Sequence, residues 1–133
     1  MVLKIPQPVA ILFVMFSEAV LDHFRNPRNV GELALANAVV ELSNPVCGDV
    51  LKLSARVVDG RIEEARFLCR GCTTSIACAS LVTEQLRGYS PAAGAPITAE
   101  SLSRALGGLP PSTFHGAQLA AAATAALLNK LAS

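Results

Sequence analysis

The fold is decided by residues 44–69, which read NPVCGDVLKLSARVVDGRIEEARFLC. Apolar and polar residues alternate from Asp49 to Val58, so this run is predicted to be a half-buried β-strand. Asp59-Gly60 is a strong signal for a hairpin turn, and residues 61–69 return as a second alternating run. A shorter apolar run at 38–42 precedes the stretch. These patterns predict a meander of three antiparallel strands with one face left to cover.

Helices are predicted before and after this meander in the sequence. Ser17 is a good N-cap for the first helix, and Asn26-Pro27 ends that helix because a proline disfavours helical geometry in the residue before it. The later helical segments cover residues 72–87, 98–107 and 115–131, the last of them rich in alanine. The predicted fold class is therefore α+β, a three-stranded antiparallel sheet with four to five helices packed on it.

Length and composition indicate a single folded domain. The chain has 133 residues, of which 52% are apolar and 16% are charged, so it can bury a core and is not expected to be disordered. We assign residues 17–133 to this domain and residues 1–16 to an N-terminal extension, whose apolar run is too short to span a membrane. Two other interpretations of residues 1–16 stay open: a signal peptide, and a mis-assigned start with Met15 as the natural first residue. The net charge of +1 and the lack of a basic stripe argue against a nucleic-acid partner.

The four cysteines bear on the redox compartment: Cys47, Cys69, Cys72 and Cys78. They could form two disulfides in a secreted protein. However, three of them crowd into residues 69–78, where a strand end and a helix are predicted. Reduced thiols explain that crowding better, so we expect a cytoplasmic protein.

Potential metal ligands are predicted to gather at one end of the sheet. Cys47 and Asp49 lie on the turn before the second predicted strand. Cys72 lies where the third strand meets the next helix, and His115 begins the last helix. If the third strand is next to the second, these residues meet at one edge, and their sulfur, nitrogen and oxygen donors suit zinc or iron. Because a helix N-terminus stabilises a thiolate, Cys72 is also a candidate nucleophile toward sulfur.

These residues also have structural interpretations. Asp49 could instead stabilise a turn, Cys72 could be a small buried residue, and His115 could be a helix-start residue. Cys69 and Cys78 are interpreted as core thiols because each lies on the apolar face of its element. The Cys69-x-x-Cys72 spacing resembles a redox or zinc motif, but no second pair completes a zinc ribbon. His23 is interpreted as a partly exposed helix residue, because no second ligand lies at helical spacing from it.

The chain resembles the iron–sulfur cluster assembly scaffolds of the IscU/NifU N-terminal type. The resemblance runs from about Ser17 to the end of the chain. It is carried by DHFRNPRNVG (22–31), NPVCGD (44–49), the run from Ala65 through Gly71-Cys72 to Glu84, LPP (109–111) and His115. The resemblance implies an α+β fold with a small three-stranded sheet. It also implies that Cys47, Cys72 and His115 ligate a cluster, with Asp49 as a weaker oxygen ligand.

The function implied by the resemblance is that of a scaffold without enzymatic turnover. Such a protein receives iron and sulfur, builds a [2Fe–2S] cluster and passes it to apoproteins, its recipient partners. A cysteine desulfurase would supply persulfide sulfur to Cys72 or to Cys47. Zinc often occupies such a site in the cluster-free form. The resemblance leaves a homodimer open as the assembly.

One departure from the family pattern concerns the ligands. The family usually has a third cysteine directly after the histidine, where this chain has Gly116. The four predicted ligands would still suffice for tetrahedral zinc or for one mixed cluster site. Two alternatives therefore stay open: a zinc-bound sulfur acceptor that stimulates a cysteine desulfurase, with Cys72 as its reactive thiol, and a degenerate paralogue that lacks cluster assembly.

A second departure concerns a chaperone. IscU-type members usually have Val-Lys in a segment that a specialised Hsp70 chaperone binds, and this chain has Ser112 and Thr113 there. A hydroxyl cannot replace an ammonium in a charged contact, so the sequence argues against docking of an Hsp70-type chaperone.

Overall fold

In the part of the chain that the structure describes, three antiparallel strands form one sheet in chain order, and four helices accompany it. The computed structural model describes residues 16–92 and 96–132. Along the chain the elements are α1 (Glu18–Arg25), β1 (Ala38–Asn44), β2 (Asp49–Val58), β3 (Arg61–Arg70), α2 (Thr73–Leu86), α3 (Ala99–Ala105), a 3-10 helix (Pro111–Thr113) and α4 (His115–Ala132). The predicted α+β class is confirmed. The predicted extension, residues 1–16, lies outside the described residues apart from Phe16, which is in the core.

The hairpin between β2 and β3 turns at Asp59-Gly60, as predicted, and its register shifts at an irregularity between Arg56 and Val57. Val58 pairs with Arg61 across the turn, and both turn residues have positive φ, +54° at Asp59 and +76° at Gly60. Turns of this kind match the right-handed twist of the strands that they join. At the other end of the sheet, Val50 pairs with Arg70 and Asn44 pairs with Asp49. The start of β2 and the end of β3 therefore lie at the same end of the sheet.

The core lies between the inner face of the sheet and helices α2 and α4. Leu51, Leu53 and Ala55 of β2 are almost fully buried. Helix α2 packs on β3 and α4, while α4 packs on β1 and β2. The buried positions of α4 are small along most of its length, namely Gly116, Ala117, Ala120, Ala123 and Thr124. Small residues let a helix approach its neighbours closely, and this closeness matters at the first turn of α4.

The segment that follows α1 is fastened to α2 by hydrogen bonds. The Ser80 hydroxyl lies 2.8 Å from His23 Nδ1 and accepts a hydrogen bond of 2.9 Å from the backbone N–H of Arg28. Asn29 Nδ2 donates to Thr83 Oγ1 over 3.1 Å. The prediction that His23 is partly exposed is wrong, because α2 covers it and leaves the residue 8% exposed. Much of the DHFRNPRNVG motif thus has a structural explanation.

The same segment reaches the free edge of β3. The Gly31 N–H donates to the Phe67 carbonyl over 2.8 Å, and the Phe67 N–H donates to the Asn29 carbonyl over 3.0 Å. This is an isolated parallel bridge, too short to count as a strand.

Among the described residues, no helix has both the length and the apolar character needed to cross a membrane.

Candidate metal centre

The candidate site forms where three chain segments meet at one end of the sheet. Asp49 is the first residue of β2, and β3 ends beside it at Arg70. After Gly71, Cys72 is the N-cap of α2. Helix α4 begins at His115, and its first turn lies against the first turn of α2. Strand pairing and helix packing thus bring together residues that are far apart in sequence.

The donor atoms of Asp49, Cys72 and His115 all lie within 4.8 Å of one another. His115 Nε2 is 3.7 Å from Cys72 Sγ and 3.7 Å from Asp49 Oδ2. Asp49 is buried, whereas the other two residues are half-buried and remain open to a ligand. A thiolate, an imidazole and a carboxylate form a donor set that fits zinc or iron.

Cys47, the fourth predicted ligand, is not part of this group of three. It is exposed, on the turn between β1 and β2. Asn44 holds the start of that turn, since its Oδ1 accepts a hydrogen bond of 3.0 Å from the Val46 N–H. Gly48, which follows Cys47, has a φ of +75° that favours glycine. The structure therefore brings three of the four predicted residues together and leaves Cys47 on the neighbouring turn.

Ser75 is a member of the site that sequence reasoning missed. Ser75 is 1% exposed, and its hydroxyl donates a hydrogen bond of 2.6 Å to Asp49 Oδ2. The same hydroxyl oxygen lies 3.3 Å from Cys72 Sγ. Ser75 is three residues beyond Cys72 in the first turn of α2, where a residue is close to the N-cap side chain. That spacing was the available signal, but serine is too common for it to be noticed.

Two glycines allow the three segments to come this close. A Cβ on Gly71 would lie 2.9 Å from Asp49 Cγ and 3.1 Å from Ser75 Cβ. A Cβ on Gly116 would lie 2.7 Å from the Ser75 backbone nitrogen and 3.0 Å from the Ser75 Oγ. Gly116 is therefore more than a missing cysteine, because the backbone of α2 occupies the space that a side chain would need.

The other two thiols are held away from this chemistry by burial. Cys78 is fully buried, and burial raises its pKa to about 12. Burial also raises the pKa of the half-buried Cys69 to about 12, with a further contribution from the Asp49 carboxylate. Both thiols stay protonated near neutral pH, so they are poor nucleophiles.

The family assignment follows from a match over most of the chain. The NifU-like N terminal domain family matches residues 15–132. The chain belongs to this family. It is 43% identical over 107 residues to the iron-sulfur cluster assembly scaffold protein IscU 1 of Archaeoglobus fulgidus, an alignment that covers 80% of this chain and 70% of that protein. It is 41% identical over 102 residues to the scaffold protein IscU of Aquifex aeolicus, covering 75% of this chain and 65% of that one.

A solved structure supports the fold of this NifU-like domain. A NifU-like protein (N-terminal) from Brucella abortus superposes with a TM-score of 0.69 and covers 87% of this chain and 93% of that chain. At 16% sequence identity, the likeness bears on the fold alone. The IscU/NifU-like architecture expected from the sequence is therefore confirmed.

Proposed function

We propose that this NifU-like domain is an iron–sulfur cluster assembly scaffold, which accepts iron and sulfur, assembles a [2Fe–2S] cluster and transfers it to recipient apoproteins. The observation that carries the proposal is the convergence of the Asp49, Cys72 and His115 donor atoms within 4.8 Å. The names of the two IscU relatives support the same role. A scaffold of this kind has no catalytic turnover, and the domain that carries it includes Phe16, which lies in the core.

The roles of the ligands follow from their chemistry and position. Cys72 binds iron of the cluster as a soft thiolate donor and His115 binds it as an imidazole nitrogen donor, and Cys47 joins them from its exposed turn. Asp49 is the oxygen ligand, and it exchanges more readily than a thiolate does. The cluster is cargo, so one exchangeable ligand aids its release to a recipient.

Sulfur enters through a thiolate of the site. The Cys72 thiolate attacks the outer sulfur of a persulfide on a cysteine desulfurase, the S–S bond breaks, and the desulfurase cysteine leaves as a thiolate. Two electrons from a separate low-potential electron carrier then cleave the persulfide on Cys72 into thiolate and sulfide. Cys72 suits this step because it is half-buried and accessible, whereas Cys78 is sealed in the core.

A second candidate function is favoured by Gly116, which leaves no room for a third thiol at this position. In this alternative the protein holds one zinc ion on the same ligands and acts as a sulfur acceptor that stimulates a cysteine desulfurase. The N, O and S donors match those of tetrahedral zinc sites in proteins.

Anaerobic reconstitution with iron, a sulfur source and a cysteine desulfurase separates the two functions. A scaffold acquires charge-transfer absorption and acid-labile sulfide, and loses both in Cys72→Ser. Cys69→Ser is the matched control, since Cys69 lies outside the group of three donors and should keep the parent behaviour. Stoichiometric zinc with a persulfide on Cys72 and no chromophore would support the acceptor instead. Protein that binds neither zinc nor a cluster would contradict both functions.

A further inference from the structure

We propose that Ser75 is a positioning residue that fixes the Asp49 carboxylate for metal binding, an inference that rests on the proposed metal site. Ser75 belongs to α2, whereas Asp49 belongs to β2. A single hydroxyl therefore connects the strand and the helix that carry two of the ligands.

The geometry of the carboxylate depends on this contact. Ser75 Oγ donates to Asp49 Oδ2 over 2.6 Å, and this oxygen is the one that lies 3.7 Å from His115 Nε2. The hydrogen bond uses one lone-pair direction of Oδ2 and leaves the other for a metal ion. Rotation of the carboxylate would break this bond, so the oxygen that faces the imidazole stays in place.

The surroundings of Ser75 hold its own side chain in one position. Gly71 and Gly116 border it, and a Cβ on either glycine would fall 3.1 Å or less from an atom of Ser75. Ser75 is 1% exposed, so solvent does not compete for its hydroxyl. A hydroxyl confined in this way orients a ligating carboxylate better than a mobile surface group can, and outer-shell hydrogen bonds of this kind tune metal affinity.

The contact also links two ligands of unlike chemistry. Ser75 Oγ lies 3.3 Å from Cys72 Sγ as well as 2.6 Å from Asp49 Oδ2. The hydroxyl has one hydrogen, and in this structure the shorter contact is with the carboxylate. Ser75 thereby sets the distance between the sulfur and the oxygen donors, which decides whether one ion can bind both.

The experiment compares the zinc affinity of the parent and of variants of the full chain by competition with a chromophoric chelator. We expect Ser75→Ala to bind zinc about 10- to 100-fold more weakly, the range seen when an outer-shell partner is lost. The loss should vanish in the Asp49→Ala background, because Ser75 then has no carboxylate to hold. Ser80→Ala is the matched control: it removes another buried hydroxyl of α2, bonded to His23 and Arg28, away from the group of three donors. We expect it to lower stability without a change in zinc affinity.

A cobalt spectrum distinguishes positioning from general destabilisation. With Co²⁺ in place of zinc, the ligand-field bands of Ser75→Ala should move toward those of Asp49→Ala, while Ser80→Ala keeps the parent spectrum. An unchanged zinc affinity in Ser75→Ala, or an equal loss with and without Asp49, would overturn the role of Ser75. If parent and Cys72→Ala bind zinc equally weakly, this group of donors does not hold zinc and the role of Ser75 falls, whereas the cluster reconstitution described above decides the proposed function separately.

Discussion

The substitution Gly116→Ala tests how closely α4 lies on the first turn of α2. The added methyl group would come within 2.7 Å of the Ser75 backbone nitrogen and 3.0 Å of the Thr74 carbonyl carbon. Both are backbone atoms, so no side-chain rotation relieves the contact. The helices must separate by a few tenths of an ångström, which also moves His115, the residue before Gly116.

Two effects of opposite sign set the magnitude. Alanine is favoured over glycine inside a helix by about 1 kcal/mol, and by less at the first turn. Extra atoms in a tightly packed contact cost about 1–3 kcal/mol. The net expectation is a loss of about 1 kcal/mol in the free energy of unfolding, which corresponds to a fall of about 4 °C in Tm for a chain of this size. Gly116→Cys adds a larger side chain and should lose more.

Urea denaturation of the metal-free protein measures the effect. Ala125→Gly is the reference, because Ala125 is exposed on the same helix and its replacement isolates helix propensity at a cost of about 1 kcal/mol. If Gly116→Ala stabilises the protein by an amount comparable to that loss, the contact between α4 and α2 is not tight and the argument is refuted. Zinc affinity should fall in Gly116→Ala and remain at the parent value in Ala125→Gly, since only the former displaces His115.

Three further predictions concern the site and the α1 segment. Gly71→Ala should weaken zinc binding as well as stability, because its methyl group would displace the Asp49 carboxylate; unchanged affinity by chelator competition would contradict this. Asp49→Ala should carry a longer-lived cluster and yet bind zinc more weakly; equal rates of cluster transfer to an apo-ferredoxin in mutant and parent would count against a labile oxygen ligand. Burial, followed by the Arg28 charge and opposed by Glu84 and Asp22, lowers the pKa of His23. The unfolded chain then binds the proton more readily, so the free energy of unfolding should fall as pH drops below about 6.5, and His23→Asn should flatten that dependence. An identical pH dependence of urea midpoints in parent and variant would refute it.

Much of the fold could be predicted because local pattern and final packing agree. The alternation from Asp49 to Val58 and the Asp59-Gly60 turn predict the observed bounds of β2 and the position of the hairpin turn. The strand pairing then explains why Asp49 and Cys72 meet. The prediction that His23 is partly exposed was wrong because its burial depends on Ser80. That residue is 57 positions away in sequence, so no local pattern indicates the contact.

The finer architecture of the site could not be predicted for a similar reason. A glycine in a sequence suggests a turn or a helix end. Gly71 and Gly116 are instead needed because β2 and the first turn of α2 pack directly against them. Ser75 matters only because Asp49 is brought against it from a different strand. Cys47 remains a predicted ligand. Spacing along a chain indicates which donor types are available, but the distances between them arise from packing.

The bridge from Val30 to Phe67 covers the middle of the edge strand β3. Unpaired backbone amide and carbonyl groups at this edge could otherwise pair with a strand from another molecule. The segment that forms the bridge is held by hydrogen bonds from Arg28 and Asn29 to Ser80 and Thr83 of α2. The buried face of α2 that carries Ser80 and Thr83 therefore helps to prevent β3 from pairing with strands of other molecules. Loss of those hydroxyls should therefore lower solubility and leave zinc binding by Asp49, Cys72 and His115 unchanged.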